Sequence, residues 1–377
     1  MPRSRRRWCV VSPSFDMTAP MKARDITRLR LTNLLVAASN CKTAGEVVAK
    51  VGAMQGQDYA GGMWAIGLRL PGAKLASVEA AVADRSIVRT WPLRGTLHFV
   101  AAADAGWMLD LLAPRVIRSS AKRHQQLELD AATFNKVEKV CGRVLARGVQ
   151  LTRDELRDAL ARAKIDTDGG RLYHCLWRLS QEKVLCSGVP KGKQPTFTLF
   201  DDWLPRTKPV ETDEALARLA ARYYAGHGPA TQQDLMRWAG LTAAEVKLGI
   251  SGAGQALISE KIGGTVYFLP AHAPAPPAAA RGTFLLPGFD EYMLGYKDRS
   301  AFLAAEHADK IVPGANGVFR ATLVRDGQVI GTWQAAQAKK TVRVTPQPFA
   351  RLAAAQLQQI ERAAARYAAF LGKELAS

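Results

Sequence analysis

Apolar residues recur about every three or four positions along most of this chain, the spacing that predicts amphipathic helices. The first such segment is 23–35. A second begins after Thr43, a candidate N-cap with Glu46 three residues later to complete a capping box. Residues 61–70 and 75–87 predict two more helices of the same kind.

A stretch rich in β-formers and aromatic residues follows at 88–101. Pro92 and Gly95 interrupt it, and the pattern predicts a β-hairpin. Several short helices followed by a hairpin is the order of elements in a winged helix. We therefore predict a first winged helix over residues 23–130, and it contains the pair of glutamines considered below.

The same pattern recurs twice further along the chain. The two later copies can be laid over each other, because the Thr-x-x-acid cap at Thr152 matches the one at Thr231. Each copy again ends in an alternating stretch that predicts a hairpin. We predict a second winged helix over 131–210 and a third over 211–272.

The remaining segments have different compositions. Residues 1–22 predict a disordered basic arm, or sequence upstream of a true start at Met17 or Met21. Residues 273–282, rich in Ala and Pro, predict a linker, and 283–377 predict a small β-domain with a closing helix. The fold class is therefore mainly α with β-hairpins (α+β): three tandem winged-helix units plus a small C-terminal β-domain.

Composition narrows the possible partners. The 377 residues include 52 Lys and Arg against 33 Asp and Glu, for a formal charge of +19 and a pI near 10.0. Solubility alone could explain such a surplus, but it favours an anionic partner, with nucleic acid first and a membrane surface second. No apolar run reaches the roughly 18 to 20 residues that a membrane-spanning helix needs, so we expect no membrane partner.

The five cysteines carry no metal-binding signal. They are widely spaced, and none forms a CxxC pair or sits beside a histidine at metal-ligand spacing. This favours a reducing cytosol and argues against structural zinc. We expect a cytoplasmic, nucleoid-associated protein without a metal or other cofactor.

The common enzyme motifs are missing from the sequence. It contains no P-loop, no dinucleotide-binding GxGxxG, no GxSxG and no HExxH. Asp290 and Glu291 are adjacent acids, but 283–296 predicts a strand, in which neighbours point to opposite faces. We therefore expect an ion-pair role for these acids rather than concerted acid–base work.

Basic residues collect at positions where winged helices meet DNA. Lysines and arginines on a wing usually hold phosphates rather than read bases. A histidine at such a position either faces phosphate or is packed in the core. The candidate DNA contacts are Arg94 and His98 in the first hairpin, Arg171, His174 and Arg178 on the second recognition helix, and Lys191 and Lys193 in the second wing.

Gln55 and Gln57 are separated by a single glycine in the connection between two predicted helices. Residues i and i+2 point apart on a helix but share a face of an extended segment. Glycines at 52, 56, 61 and 62 disfavour a regular helix here, and Asp58 is a suitable N-cap for the next one. The two amides therefore project together, either for chemistry or merely to satisfy backbone groups in a tight loop.

Four stretches together resemble the AlkZ-like winged-helix DNA glycosylase family: MQGQDYAGGMWAIGLR, RTWPLRGTLHFV, GHGPATQQDLMRWAGL and LPGFDEYMLGYKDRS. The resemblance implies tandem winged helices with a small β-domain. It also implies excision of bulky N-alkylated purines, chiefly N7-alkylguanine, and in some members the unhooking of interstrand crosslinks. The family's catalytic Gln-x-Gln falls on Gln55 and Gln57. The residue between them is often larger than Gly56, so lesion preference stays open.

Amide side chains are sufficient for such a reaction. Alkylation at N7 leaves the purine cationic, so it departs without a strong general acid. Amide carbonyls can stabilise an oxocarbenium-like sugar and hold water at C1′, an effect worth about a few kcal/mol. With no Schiff-base lysine identified, we expect a monofunctional glycosylase that acts as a monomer on double-stranded DNA containing an alkylated purine. Whether the base is flipped out is left open.

Two other functions fit the same sequence. A non-enzymatic winged-helix transcription regulator would explain the charge and the repeated units, although such proteins usually bind as symmetric dimers. Three units in one chain instead favour a monomer wrapped round DNA. A resistance protein that sequesters the alkylating agent would need a deep apolar pocket, which nothing in the sequence singles out.

Overall fold

The computed structural model describes residues 23–272 and 281–376. The predicted arm at 1–22 and most of the predicted linker at 273–282 lie outside these ranges. Within them, no helix is long and apolar enough to cross a membrane.

The first unit contains six helices and one small sheet. Its elements are α1 (Ala23–Asn33), α2 (Ala44–Val51), β1 (Met54–Gln55), α3 (Tyr59–Leu68), α4 (Leu75–Ala83), β2 (Ile87–Leu93), β3 (Thr96–Ala101), α5 (Ala102–Ser119) and α6 (Ala121–Gln126). Thr43 caps α2 by accepting from the Glu46 N–H, as predicted. The strands lie in the order β1-β3-β2, so the hairpin predicted over 88–101 is confirmed.

The second unit repeats this plan. Its elements are α7 (Ala131–Val144), β4 (Leu151–Thr152), α8 (Arg153–Arg162), α9 (Arg171–Gln181), β5 (Leu185–Ser187), β6 (Thr196–Leu199) and α10 (Phe200–Trp203). Thr152 and Glu155 form the capping box at the start of α8. The strand order, β4-β6-β5, places the strand before α8 beside the hairpin, as in the first unit.

The third unit contains α11 (Thr212–His227), α12 (Gln232–Ala239), α13 (Ala243–Ala253), β7 (Leu257–Ile262) and β8 (Thr265–Pro270). Thr231 and Asp234 form its capping box. A single bridge from Ala230 to Phe268 takes the place of the short first strand. All three units therefore share the order helix, short strand, helix, helix, hairpin. This repetition supports the prediction of three winged helices, whose boundaries remain predictions.

A five-stranded sheet follows the third unit. Its elements are β9 (Thr283–Leu286), α14 (Glu291–Leu294), α15 (Ala308–Ile311), β10 (Thr322–Arg325), β11 (Gln328–Gln337), β12 (Thr341–Pro348), α16 (Ala354–Leu371) and β13 (Glu374–Leu375). The strands lie in the order β13-β12-β11-β10-β9. The last helix packs on this domain, since Trp333 and Tyr367 meet edge to face with ring centres 5.1 Å apart.

The strand predicted over 283–296 is wrong beyond Leu286. Pro287 and Gly288 interrupt it, and Phe289 has a φ of 60°. Asp290 then caps the short helix α14 by accepting from the Tyr292 N–H. The alternation of a strand therefore does not apply to the two adjacent acids.

Two apolar cores hold the units together. The larger one joins the first unit, the third unit and the C-terminal sheet. Within it, Trp64 donates its indole N–H to Leu285 O at 2.8 Å, and Tyr223 donates its hydroxyl to Gly295 O at 2.6 Å. The smaller core belongs to the second unit, and Trp91 from β2 inserts into it. The connection that carries the two glutamines leaves β1 at the junction of three of these parts.

Candidate active site

Gln55 is the last residue of β1, and Gln57 lies in the turn before α3. Met54 pairs with Phe99 and Gln55 pairs with His98 across the antiparallel strands β1 and β3. The extended backbone expected here is confirmed for Gln55. The Gln55 side chain is half-buried, whereas Gln57 is exposed.

Backbone hydrogen bonds hold the glycine between them. The Gly56 N–H donates to Leu97 O at 2.8 Å, and Gly56 O accepts from Arg89 Nε at 2.8 Å. The Arg89 guanidinium also lies 5.7 Å from the centre of the Tyr59 ring. A Cβ at Gly56 would lie 3.2 Å from the Phe99 ring, which is tighter than ordinary van der Waals contact. The small residue lets this loop close onto β3.

The start of α3 is shaped by the same aromatic ring. A Cβ at Gly62 would lie 2.7 Å from Phe99 and 3.1 Å from Gln55 O. Asp58 occupies the N-cap position as predicted, although its side chain makes no capping hydrogen bond. Because both glycines approach Phe99, that ring determines how closely α3 and the glutamine loop can pack.

The side-chain amide oxygen of Gln55 is the chemically informative atom of the loop. It is buried, and no hydrogen-bond donor in the described part of the chain reaches it. A buried acceptor left without a partner costs about 1–3 kcal/mol. Such an atom would gain a hydrogen bond from any water molecule or substrate group that reached it, and it carries the negative end of the amide dipole. The site therefore contains a preorganised acceptor but, among its described residues, no strong acid aimed at it.

Glu291 forms the hydrogen bonds that connect this loop to the third unit. Gln55 donates its backbone N–H to Oε1 of Glu291 at 3.1 Å. Trp238 Nε1 donates to Oε2 at 2.9 Å, and His227 Nε2 lies 3.3 Å from the same oxygen. Glu291 is only 1% exposed. Three parts of the chain, β1, the third unit and α14, therefore meet at one carboxylate.

The protonation of this cluster follows from its contacts. Burial by itself raises the pKa of Glu291, but the hydrogen bonds from His227 and Trp238 and the nearby charges hold it below its ordinary value. Glu291 is thus an anion at neutral pH. Burial lowers the pKa of His98 to about 4, so this ring is neutral, with Nδ1 donating to Thr96 O at 2.9 Å.

The first hairpin does not present both of its candidate DNA contacts to solvent. His98 is only 1% exposed, so a phosphate on the surface cannot reach it. Of the two roles expected for this histidine, packing in the core is therefore the one observed. Arg94 is exposed in the two-residue turn with Gly95, where both residues have positive φ. Trp177 Nε1 donates to Gly95 O at 3.0 Å, so the turn inserts against the second unit.

The three candidates on α9 are largely engaged within the second unit. Arg171 pairs with Asp166, and its side chain is 15% exposed. His174 is half-buried. Arg178 pairs with Glu182 four residues on. The structure therefore gives these residues local partners, and DNA contacts by them remain predictions.

The two wing lysines of the second unit lie in the open. Lys191 and Lys193 are both exposed in the turn between β5 and β6. Lys191 pairs with Glu155 at 3.0 Å, which is a surface ion pair of small expected worth. Neither lysine is brought beside the glutamine loop by any hydrogen bond or ion pair that the structure shows in residues 23–272 and 281–376.

Glu291 and Arg89 were missed by reasoning from the sequence. Assigning 283–296 to a strand hid Glu291, although Pro287-Gly288 followed by Asp290 is a break-and-cap signal that predicts a helix start. No local signal singles out Arg89, because its contact with Gly56 depends on the pairing of strands. The acid at Asp290 does form the expected ion pair, a fully buried one with Arg69 at 2.8 Å.

No group of three or more His, Cys, Asp or Glu side chains in the two described ranges is arranged to hold a metal ion. The four cysteines there, at positions 41, 141, 175 and 186, are free and buried.

Comparison with known proteins identifies close similarities. The sequence profile of one family, described as DNA glycosylase AlkZ-like, matches residues 48–370. The interstrand DNA cross-link repair glycosylase of Streptomyces sahachiroi is 30% identical over 329 residues, which cover 81% of this chain and 85% of that protein. The solved structure of Streptomyces sahachiroi DNA glycosylase AlkZ matches with a TM-score of 0.77 at 25% identity, covering 95% of this chain and 100% of that one. The range matched by the family profile includes the glutamine loop and Glu291.

Proposed function

The chain belongs to the AlkZ-like DNA glycosylase family, and from this premise we propose that it hydrolyses the N-glycosidic bond of N-alkylated purines, N7-alkylguanine above all. The enzyme is a DNA glycosylase, and DNA is its substrate. Membership of the family favours this activity over the regulator and the sequestering protein that the sequence left open. The relative from Streptomyces sahachiroi is named for interstrand crosslink repair, and we extend the proposal to bulky and crosslinked N7 adducts.

One observation supports the chemistry most directly, the buried and unpaired Oε1 of Gln55. N7 alkylation gives the purine a positive charge, so the C1′–N9 bond breaks with its electron pair leaving on the base. The sugar develops positive charge as this happens. An amide oxygen held in place, on a residue whose backbone N–H is bonded to the Glu291 carboxylate, stabilises that charge without reorganisation. The base departs neutral, and no proton has to be supplied to it.

Water completes the reaction at C1′. In our proposal Gln55 and the exposed Gln57 accept hydrogen bonds from this water and orient its oxygen toward C1′. The new C–O bond forms as the water loses a proton to solvent. An intact guanine lacks the positive charge and would need a general acid, so the same site discriminates in favour of damaged bases.

A single assay tests the two glutamines. An end-labelled duplex with one N7-methylguanine is incubated with the protein and then treated with mild alkali, which cleaves the strand at an abasic site. We expect Gln55→Ala and Gln57→Ala each to lower the single-turnover rate at least about tenfold. Gln125→Ala, at an exposed position on α6, is the matched control and retains the rate.

Other outcomes separate the parts of the proposal. Excision that survives both substitutions would retain the glycosylase and remove the glutamine site. Absence of excision of N7-methylguanine together with activity on an N7-crosslinked duplex would restrict the substrate to bulkier adducts. The predicted monomer is checked by light scattering of the free protein and of its DNA complex. The cytoplasmic, nucleoid-associated location remains a prediction.

A further inference from the structure

Three arginines from different parts of the chain come together at the turn of the first hairpin. Arg94 Nη1 donates to Arg237 O on α12 at 3.3 Å, and a Cβ at Gly240 would lie 3.3 Å from Arg94 Cγ. Arg299, in the segment after α14, donates from Nε to Met293 O at 2.7 Å. Arg237 and Arg299 line the same cavity. We call Arg94, Arg237 and Arg299 the arginine cluster.

No member of the arginine cluster forms an ion pair with a carboxylate in the described part of the chain. The nearby acids are already engaged. Asp234 accepts from the backbone N–H groups of Thr231 and Lys297, and Asp298 accepts from Ser300 N–H. The two oxygens of Glu291 are taken by its three partners. These carboxylates still act on the arginines through space, but in the described residues none of them forms a direct ion pair with the cluster.

The charges affect one another. Burial and, after it, the neighbouring charge of Arg237 lower the pKa of Arg299 to about 10, while Asp234 and Asp298 oppose this shift. Loss of hydration also lowers the pKa of Arg94, although part of this side chain is exposed. The charge of Arg237 lowers this pKa as well, whereas the negative charge of Glu291 raises it. Holding like charges this close destabilises the free protein unless an anion binds among them.

The surroundings suit a phosphodiester. The cavity beside Arg237 and Arg299 has a volume of about 620 Å³, and apolar side chains such as Met293 and Phe319 line much of it. Asp298 and Asp309 also line it, so a phosphate is expected at the arginine side of the cavity. The Arg299 guanidinium lies 5.0 Å from the centre of the Phe319 ring, which leaves its edge free for hydrogen bonds. Guanidinium groups match the oxygens of a phosphate with two parallel bonds, and the apolar wall can contact a sugar.

The arginine cluster is also placed at a useful distance from the glutamines. His98 pairs with Gln55 across β1 and β3, and Arg94 lies four residues from His98 along the hairpin. At about 3.3 Å per residue a straight path would span on the order of 13 Å, and the separation is shorter because the chain reverses at Arg94 and Gly95.

We propose that Arg94, Arg237 and Arg299 bind backbone phosphates of the damaged DNA near the lesion. This proposal rests on DNA being the substrate but not on the identity of the lesion. It adds Arg237 and Arg299 to the DNA contacts predicted from the sequence. It also gives the first hairpin a role other than that of a free wing, since its turn brings Arg94 to the third unit.

The test measures binding of the full chain to an undamaged fluorescein-labelled duplex by anisotropy over a series of KCl concentrations. Arg237→Gln, Arg94→Gln and Arg299→Gln should each weaken binding about tenfold and reduce the salt slope of log K by about one. Arg206→Gln removes the same charge from a side chain that is 85% exposed and lies 3.9 Å from Asp201 in an exposed ion pair. It serves as the matched control, with less than about a twofold effect expected. If the three variants bind DNA with the same affinity and the same salt slope as the Arg206→Gln control, the proposal is overturned.

Two further measurements keep the result interpretable. Thermal unfolding of each variant identifies a loss of fold, which is a concern for the partly buried Arg299 but not for the exposed Arg237. Arg237→Lys retains the charge but not the fork of donors, and we expect it to recover the salt slope and only part of the affinity. Raised stability of the wild type in inorganic phosphate, combined with unaltered DNA binding by the variants, would assign the cluster to free phosphate and refute the DNA contact.

The binding assay and the excision assay fail independently. A wild type that does not excise N7-methylguanine refutes the proposed lesion but leaves the binding comparison intact. Excision by the wild type with unchanged DNA binding in all three variants refutes the arginine cluster but leaves the glycosylase proposal intact.

Discussion

Replacing Glu291 by Gln tests whether this buried carboxylate stabilises the fold and holds Gln55 in position for excision. The change conserves shape and removes one negative charge from a side chain that is only 1% exposed. Two N–H groups, from Gln55 and Trp238, point at different oxygens of this carboxylate. A glutamine has one oxygen, so its NH₂ group must face one of those donors. At least one buried donor then loses its acceptor.

The expected cost follows from these contacts. A buried donor without a partner costs about 1–3 kcal/mol, and hydrogen bonds to a charged acceptor are stronger than neutral ones. Loss of the negative charge beside His227 adds to this in either orientation of the amide. We expect the free energy of unfolding to fall by about 2–4 kcal/mol. If the loop then moves Gln55, the single-turnover excision rate falls at least about tenfold.

Urea unfolding and single-turnover excision measure the two effects on the same preparation. Glu138→Gln, at an exposed position on α7, controls for loss of one negative charge. A Glu291→Gln protein that matches this control in both stability and rate would refute the role assigned to the carboxylate.

The pH dependence gives a separate check on Glu291. Its pKa in the folded state is below the ordinary value of 4.5. Its contribution to stability is therefore present above that value and is lost as the pH falls through the lower, folded-state pKa. Glu291→Gln should lack this part of the acid destabilisation.

Two further predictions concern the packing of the glutamine loop. Gly62→Ala places a Cβ 2.7 Å from the Phe99 ring, so we expect it to lower the free energy of unfolding by about 1–3 kcal/mol and to slow excision. The control is Gly142→Ala in α7, where a Cβ meets nothing within 4 Å, and it should be neutral or stabilising by up to about 1 kcal/mol. Equal effects of the two changes in urea unfolding would contradict this reasoning. His98 has its pKa lowered by burial from 6.5 to about 4, so its neutral form stabilises the fold above pH 6.5 and that stability is lost as the pH falls toward 4, about 3 kcal/mol in all. His98→Asn should flatten urea-derived stability across this range, and an unchanged slope would show that the buried ring does not cause it.

The elements of the fold were predictable because their signals are local. A capping box such as Thr152 with Glu155 depends on residues three apart, and it begins α8 where expected. The turn of the first hairpin, at Arg94 and Gly95, likewise involves only two adjacent residues, both with positive φ. Where a local signal was overlooked, at Pro287-Gly288 before Asp290, a strand was assigned in place of α14.

The residues of the candidate site also differ in whether a local signal identifies them. The Gln55-Gly56-Gln57 motif is contiguous, so it could be found from spacing and from a family resemblance. His98 looked equally suited to phosphate or core, because alternation in a strand identifies two faces but not which of them is covered. Only the packing of β3 against its neighbours buries this ring.

The sequence by itself determined the helices, hairpins and caps, the positive charge, and the glutamine motif, since each depends on composition or on residues within about one turn. Only the tertiary structure decided that Gln55 rests on Glu291, 236 residues away. It also decided that Arg94 meets Arg237 and that Arg69 pairs with Asp290. Such contacts arise when apolar faces from distant segments are buried together. The polar groups carried with them must then find partners among whatever side chains the packing brings within reach.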